Sequence, residues 1–155
     1  LLIAMNFSEV EQKAIVPLFP YLRKNKKILR YRLIGGNLIT EKINYIDYDE
    51  VLFKPAEIVI WIFYDEEPPS SIKIISPLYN EVIGEDKRFM ISGDNDIEEI
   101  KVFVDGKFLK VLNKKPYEFS IDKENLKKNV YHTVYAIAKN RKGKESFATT
   151  SFLLK

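Results

Sequence analysis

The hydrophobic positions of this chain follow one short helical signal and then a long run of two-residue alternation. Ser8 is followed three residues later by Glu11, the spacing at which a hydroxyl and a carboxylate satisfy opposite orphan donors of a helix start. One short N-terminal helix is therefore expected from about Glu9. Pro17 and Pro20 lack the amide proton a helix interior needs, so it stops near Val16 or passes into a second turn reaching about Lys24. From Ile28 the period is two. Leu29-Arg30-Tyr31-Arg32-Leu33 alternates, Gly35-Gly36-Asn37 interrupts with residues that accept positive φ, and Leu38-Ile39-Thr40 resumes, which predicts a hairpin. A β-rich stretch from Ile43 to Tyr48 and a loop at Lys54-Pro55 lead to Glu57–Tyr64. That run is apolar on both faces and predicts a central strand covered on each side.

Asp65-Glu66-Glu67 ends the run, and Pro68-Pro69-Ser70-Ser71 follows with the composition of a linker. The expected organisation is a small β-rich or α+β unit over residues 1–67, a hinge at 68–71 and a second unit over 72–155. The second unit shows short alternating runs punctuated by turn residues. Ile72–Ser76 is the first. Arg88–Ser92 follows, with Phe89 and Ile91 on one face. Ile100, Val102 and Val104 then run into Asp105-Gly106, a two-residue turn signal in which both positions take positive φ. The return strand pairs Phe103 with Phe108 and is expected to place Leu109 and Val111 on the face of Val102 and Val104. Tyr117, Phe119 and Ile121 alternate, Asp122 caps a turn through Asn125 and Leu126, and strands at Tyr131–Ala138 and Phe147–Leu154 close the pattern around a turn at Asn140–Gly143.

Several of these stretches together carry a resemblance. Ile72-Lys73-Ile74-Ile75-Ser76-Pro77, Gly93-Asp94, Val102-Phe103-Val104-Asp105-Gly106, Pro116-Tyr117-Glu118-Phe119, Asn129-Val130-Tyr131-His132 and Ala138-Lys139-Asn140-Arg141-Lys142-Gly143 resemble the bacterial immunoglobulin-like domains of secreted and cell-surface proteins over residues about 69–155. Asn129 and Asn140 stand where that family often has glycine and aspartate. The resemblance implies a mainly β protein whose C-terminal half is a seven-stranded antiparallel Ig-like β-sandwich, at home outside the cell or in its envelope. It implies no particular ligand.

Composition adds exclusions. The chain is 46% hydrophobic, 13% aromatic and 30% charged, a globular balance. Its 25 basic and 22 acidic side chains leave a net charge of +3, too little for a nucleic-acid partner to be expected. With no cysteine, neither a disulfide nor a thiolate metal site can form. No apolar run approaches the roughly 18–20 residues of a membrane span. Leu1–Met5 is too short for a signal-peptide core, and with no initiator Met the chain is expected to be part of a larger protein.

Four groups of residues are candidates for function. The basic run at Arg23, Lys24, Lys26 and Lys27, continuing to Arg30 and Arg32, could hold an anion, the alternative being a solvated helix end. Tyr45, Tyr48, Trp61 and Tyr64, with Phe63, offer flat faces for a glycan or peptide, the alternative being core. Asp94, Asp96 and Glu98, beside Asn95 and Glu99, have the oxygen-rich spacing of a calcium loop, the alternative being a solvated turn. His132 is the only histidine, so a catalytic triad or multi-histidine metal centre would have to include it, and its strand position assigns it a structural role. Carboxylates at Asp47, Asp49, Glu50, Glu66 and Glu67 lie in loops or linker with nothing to bring them together, so no catalytic residue and no cofactor beyond that calcium candidate is expected. The expectation is a non-catalytic extracellular or cell-envelope module, a spacer or binding and adhesion domain beside other domains of its parent protein. The alternatives are an accessory domain of a cell-wall or polysaccharide-processing enzyme with glycan contacts, and a calcium-dependent adhesion module.

Overall fold

A computed structural model of the chain describes residues 1–18, 27–43, 48–84 and 87–155. In the first part β1 (Leu2–Met5), β6 (Ile58–Tyr64), β3 (Lys27–Ile34) and β4 (Asn37–Ile43) form one antiparallel sheet in that order, and β2 (Gln12–Pro17) pairs with β5 (Tyr48–Phe53) as a two-stranded ribbon. The ribbon packs on the inner face of the sheet. Ala14 and Val16 from β2, Val51 and Phe53 from β5, and Ile28, Val59 and Trp61 from the sheet share one cluster.

The N-terminal helix is not formed. Residues 8–10 bend, Gln12–Pro17 is extended, and the two groups of the supposed capping box work elsewhere. The Ser8 hydroxyl accepts from the Val10 amide at 3.1 Å, and the Glu11 carboxylate pairs with Lys54. Alternation of Ala14 and Val16 toward the core outweighs the cap, because a six-residue ladder with β5 satisfies the backbone. Pro17 sits at the end of that ladder, where its missing amide proton costs least. The second helical turn expected up to Lys24 lies outside the described residues.

The hairpin at Gly35-Gly36 is present, with φ of +53° and +98°. The strand at 58–64 is central, lying between β1 and β3, but it is not covered on both faces. Val59 and Trp61 are fully buried, while Ile58, Ile60 and Ile62 on the opposite face are only half-buried.

In the second part β7 (Ile72–Ser76), β9 (Phe89–Gly93) and β12 (Tyr117–Phe119) make a three-stranded sheet. It faces β10 (Ile97–Val104), β11 (Lys107–Leu112), β13 (Tyr131–Asn140) and β14 (Glu145–Leu154). A short strand, β8 (Glu81–Ile83), adds to β14 in parallel, so eight strands rather than seven are described here. The sandwich core is built from alternating residues of both sheets, with Phe89 stacked on Phe119 at 5.2 Å and edge-on to Phe152 at 5.3 Å. Asp105 and Gly106 both take positive φ, as their turn requires.

One expected face is wrong. Phe103 stands opposite Phe108, but Val102 stands opposite Lys110, so β11 carries an extra residue at this point. The bulge reverses the alternation beyond it. Leu109 still packs on the core, whereas Val111 turns outward and Leu112 takes its place inside.

The two hydrophobic clusters share no residue: one is drawn from residues up to Phe63, the other from Ile72 onward. Their sheets nevertheless join, because Leu38 of β4 stands opposite Thr149 of β14, and the Thr40 hydroxyl donates to the Phe147 carbonyl at 2.7 Å.

Candidate functional site

Polar side chains concentrate at that join. Pro68, Pro69 and Ser70 are buried. The Ser70 hydroxyl lies 2.6 Å from Asp96 Oδ1, the Ser71 amide donates to Asp94 Oδ2 at 2.8 Å, and the Ser71 hydroxyl accepts from the Lys42 amide at 2.8 Å. The Lys42 ammonium reaches Asp94 at 3.0 Å and Glu67 at 3.6 Å, and Lys144 donates to the Glu67 carbonyl. Burial would lower the Lys42 pKa, but the hydrogen bond to Asp94 and the charges of Asp94, Asp96 and Glu67 outweigh it and raise it. The hydrogen bond from Lys27, opposed by desolvation, and then the charges of Lys27 and Lys42 hold the Glu67 carboxyl below the usual range. The carboxylates expected to gather around calcium are thus engaged with a lysine and two serines. Among the described residues no three metal-ligating side chains converge, and Glu98 is exposed.

The basic run meets acids of its own. Arg30 binds Glu41 through Nε and Nη2 at 2.9 and 2.7 Å, and donates from Nη1 to Asp49 at 2.7 Å. Arg32 binds Glu57 at 2.5 and 3.0 Å and the Leu52 carbonyl at 2.9 Å. Glu57 is fully buried and also accepts from the Lys54 amide at 2.7 Å. Burial weighs against the Arg30 charge, yet its bonds to Glu41 and Asp49 raise its pKa. Lys27 pairs with Glu67. The described part of the expected anion site is therefore neutralised from within, while Arg23, Lys24 and Lys26 lie outside the described residues.

The aromatic candidates do not share a surface. Trp61 is sealed in the core, and its indole nitrogen donates to Asp49 at 2.7 Å. Tyr64 points to the other face, against Tyr31, whose pKa is pushed up to about 12, first by burial and then by Tyr64. Tyr48 is exposed, and Tyr45 lies outside the described residues. Alternation placed Trp61 and Tyr64 on opposite faces; only the packing of β2 and β5 decides which face is closed.

Asp49 and Glu50, expected in a loop, lie in β5, and the burial of Asp49 and Glu57 was not legible because the partners that bind them, Arg30, Trp61 and Arg32, come from other strands. A different aromatic array does form. On the outward face of the sandwich, Phe108, Phe103, Tyr135 and Phe147 stand in a row with successive centroids 5.7, 6.1 and 6.0 Å apart. Its Phe103–Phe108 step was readable from the hairpin, and its continuation across β13 and β14 required the register.

His132 is buried, with Nδ1 2.6 Å from Asp105 Oδ2 and Nε2 2.8 Å from the Lys127 carbonyl. Both ring nitrogens are occupied by protein acceptors. The ring ties the Asp105-Gly106 turn to the segment leading into β13, and no nitrogen is left to take a proton from a nucleophile. Asn129 takes φ +60°, within the range that glycine would otherwise supply. Asn140 is a turn residue, its Oδ1 accepting from the Lys142 and Lys144 amides at 3.0 Å each.

Comparison with known proteins adds little to this geometry. No family model matches the chain, and no curated protein does. Among solved structures the chain is similar to one described as "Structures of Clostridium thermocellum CbhA fibronectin(III)-like modules", at 18% identity, with 54% of this chain and 95% of that chain covered and a TM-score of 0.44. Likeness at that level carries no argument, and the sandwich stands on its own strand pairing.

Proposed function

We propose that this chain is a non-catalytic spacer or binding module of a larger extracellular or cell-envelope protein, with residues 72–155 an immunoglobulin-like domain of the bacterial type and residues 1–67 a separately cored unit stiffly spliced to it. The observation that carries the reading is the junction. A segment with a hinge composition is buried and bonded on both sides, through Ser70, Ser71, Lys42 and Asp94, and the two sheets are bridged beside it. A spacer must hold distance and orientation, and a buried splice with a shared sheet does so where a solvated linker would not. The non-catalytic part is supported by the buried ionisable groups. Glu57 and His132 have every polar side-chain atom bonded to protein, and Asp49 Oδ2 accepts from both Arg30 and Trp61.

Small-angle scattering of the full chain tests this. A single rigid arrangement of the two units is expected to fit the data, and the double variant Lys42→Ala with Ser71→Ala is expected to need a broader spread. Native-chain data that require a wide ensemble of relative orientations would sink the spacer reading. Calcium-dependent adhesion is the weaker alternative, because Asp94 and Asp96 are engaged in the splice. A melting temperature that moves with millimolar calcium and returns with chelator would restore it, since a ligand selective for the folded state must stabilise that state.

A further inference from the structure

The sandwich leaves one flank open. β11 ends the large sheet and β12 ends the small one, and each pairs on one side only among the described residues. At one end of this flank is a cleft of about 460 Å³, within the range of sites that take a small ligand or a large side chain. Leu109, Ile121, Leu126 and Val130 line it, and Phe108 and Tyr131, exposed by 59% and 60%, stand at its mouth.

The charges around the flank are unbalanced. Residues 105–131 carry seven lysines against four carboxylates; of the two carboxylates on the cleft, Asp105 is paired with His132 and accepts from the Thr133 amide, and Asp122 keeps its charge but is held in its own turn by the Glu124 amide and the Asn125 side chain. The ammonium groups of Lys107 and Lys127 on the cleft, and of Lys110 further along β11, meet no partner among the described residues. Lysines on an edge strand keep an identical strand away, because like charges would meet. The same lysines attract an acidic strand.

We propose that this flank docks an extended acidic segment of a partner protein. The segment adds to β11 through main-chain hydrogen bonds, sets carboxylates against Lys107, Lys110 and Lys127, and places one apolar side chain in the cleft. Backbone pairing supplies affinity, while the cleft and the three ammonium groups supply selectivity. This goes beyond the spacer reading and does not depend on it.

The test titrates the full chain, labelled with nitrogen-15, with a capped heptapeptide carrying glutamate at alternate positions and one central leucine. The expected result is amide shifts along β11 and around Leu126 and Val130. The triple variant Lys107→Glu, Lys110→Glu and Lys127→Glu, all at exposed positions, is expected to keep the native spectrum elsewhere and to bind about tenfold more weakly or worse, because like charges now oppose. Replacing the peptide's leucine by serine is expected to abolish the cleft shifts. The proposal is overturned if millimolar peptide shifts nothing on the flank, if a lysine counterpart binds as well, or if the triple variant binds undiminished. It is also overturned if octanoate shifts the cleft residues while the peptide does not, which would make this a small-molecule pocket.

Discussion

At the scale of single residues, the N-terminal unit depends on charges buried where a strand pattern predicts solvent. Glu57 is fully buried, the Arg32 side chain is 20% exposed, and each is the other's main polar partner. Removing one member leaves an uncompensated charge, so Glu57→Ala is expected to cost about 3 kcal/mol or more in urea unfolding. Replacing both by leucine is expected to recover most of that loss, and a double-mutant cycle measures the coupling. Titration gives a second check. The Lys27 hydrogen bond lowers the folded-state pKa of Glu67, and the Lys87 hydrogen bond, helped by the Leu78 amide, lowers that of Glu81. Their contribution is complete above the unfolded value of 4.5 and is lost as pH falls through the lowered values. On the alkaline side Tyr31 is raised from 10.0 to about 12, so its contribution is complete below 10 and disappears as pH climbs toward 12. Glu67→Gln is expected to flatten part of the acid limb of a stability-pH curve, and Tyr31→Phe part of the alkaline limb.

At the scale of elements, local chemistry was legible where the neighbouring residues decide the outcome and misleading where a partner strand does. Asp105-Gly106 and Gly35-Gly36 read correctly as turns because positive φ is a demand on those residues alone. The helix expected near Glu9 failed because Ser8 and Glu11 found other partners and β5 offered a ladder. Val111 was misplaced because a bulge is a cross-strand event with no single-residue mark. Gly35 shows both kinds of constraint together. Its φ of +53° costs an L side chain about 1–2 kcal/mol, and an added Cβ would fall 2.6 Å from the Tyr79 ring. Gly35→Ala is therefore expected to lower stability by about that amount or more, and Gly84→Ala, where nothing lies within 4 Å, to change it by less than about 0.5 kcal/mol. Tyr79→Ala should cost less in the Gly35→Ala background than alone, because the ring will already have been displaced. Thermal melts of the four variants decide it.

At the scale of the whole molecule, the Pro68-Pro69 step was visible in the sequence, but its character was not. Two prolines and two serines after an acidic run have the composition of a solvated linker; the partners that bond the two serines, Lys42 from β4 and Asp94 and Asp96 from the turn after β9, are distant in sequence. The separation of the two cores and the bonding of the junction make different demands on a truncation. Among the described residues, every member of the sandwich core lies at or beyond Ile72, so residues 69–155 expressed alone are expected to melt in one cooperative transition. That fragment should nevertheless be less stable than the same unit in the full chain. It loses the Leu38–Thr149 bridge, the hydroxyl bond from Thr40 to Phe147 and the Lys42 ion pair, and Asp94 is left facing a serine amide without its counter-charge. If the fragment aggregates or lacks dispersed amide resonances, the sandwich core cannot stand without β3 and β4 behind β14. If it melts at the temperature of the full chain, the junction contributes nothing to stability, and the stiffness attributed to it must come from the chain path alone.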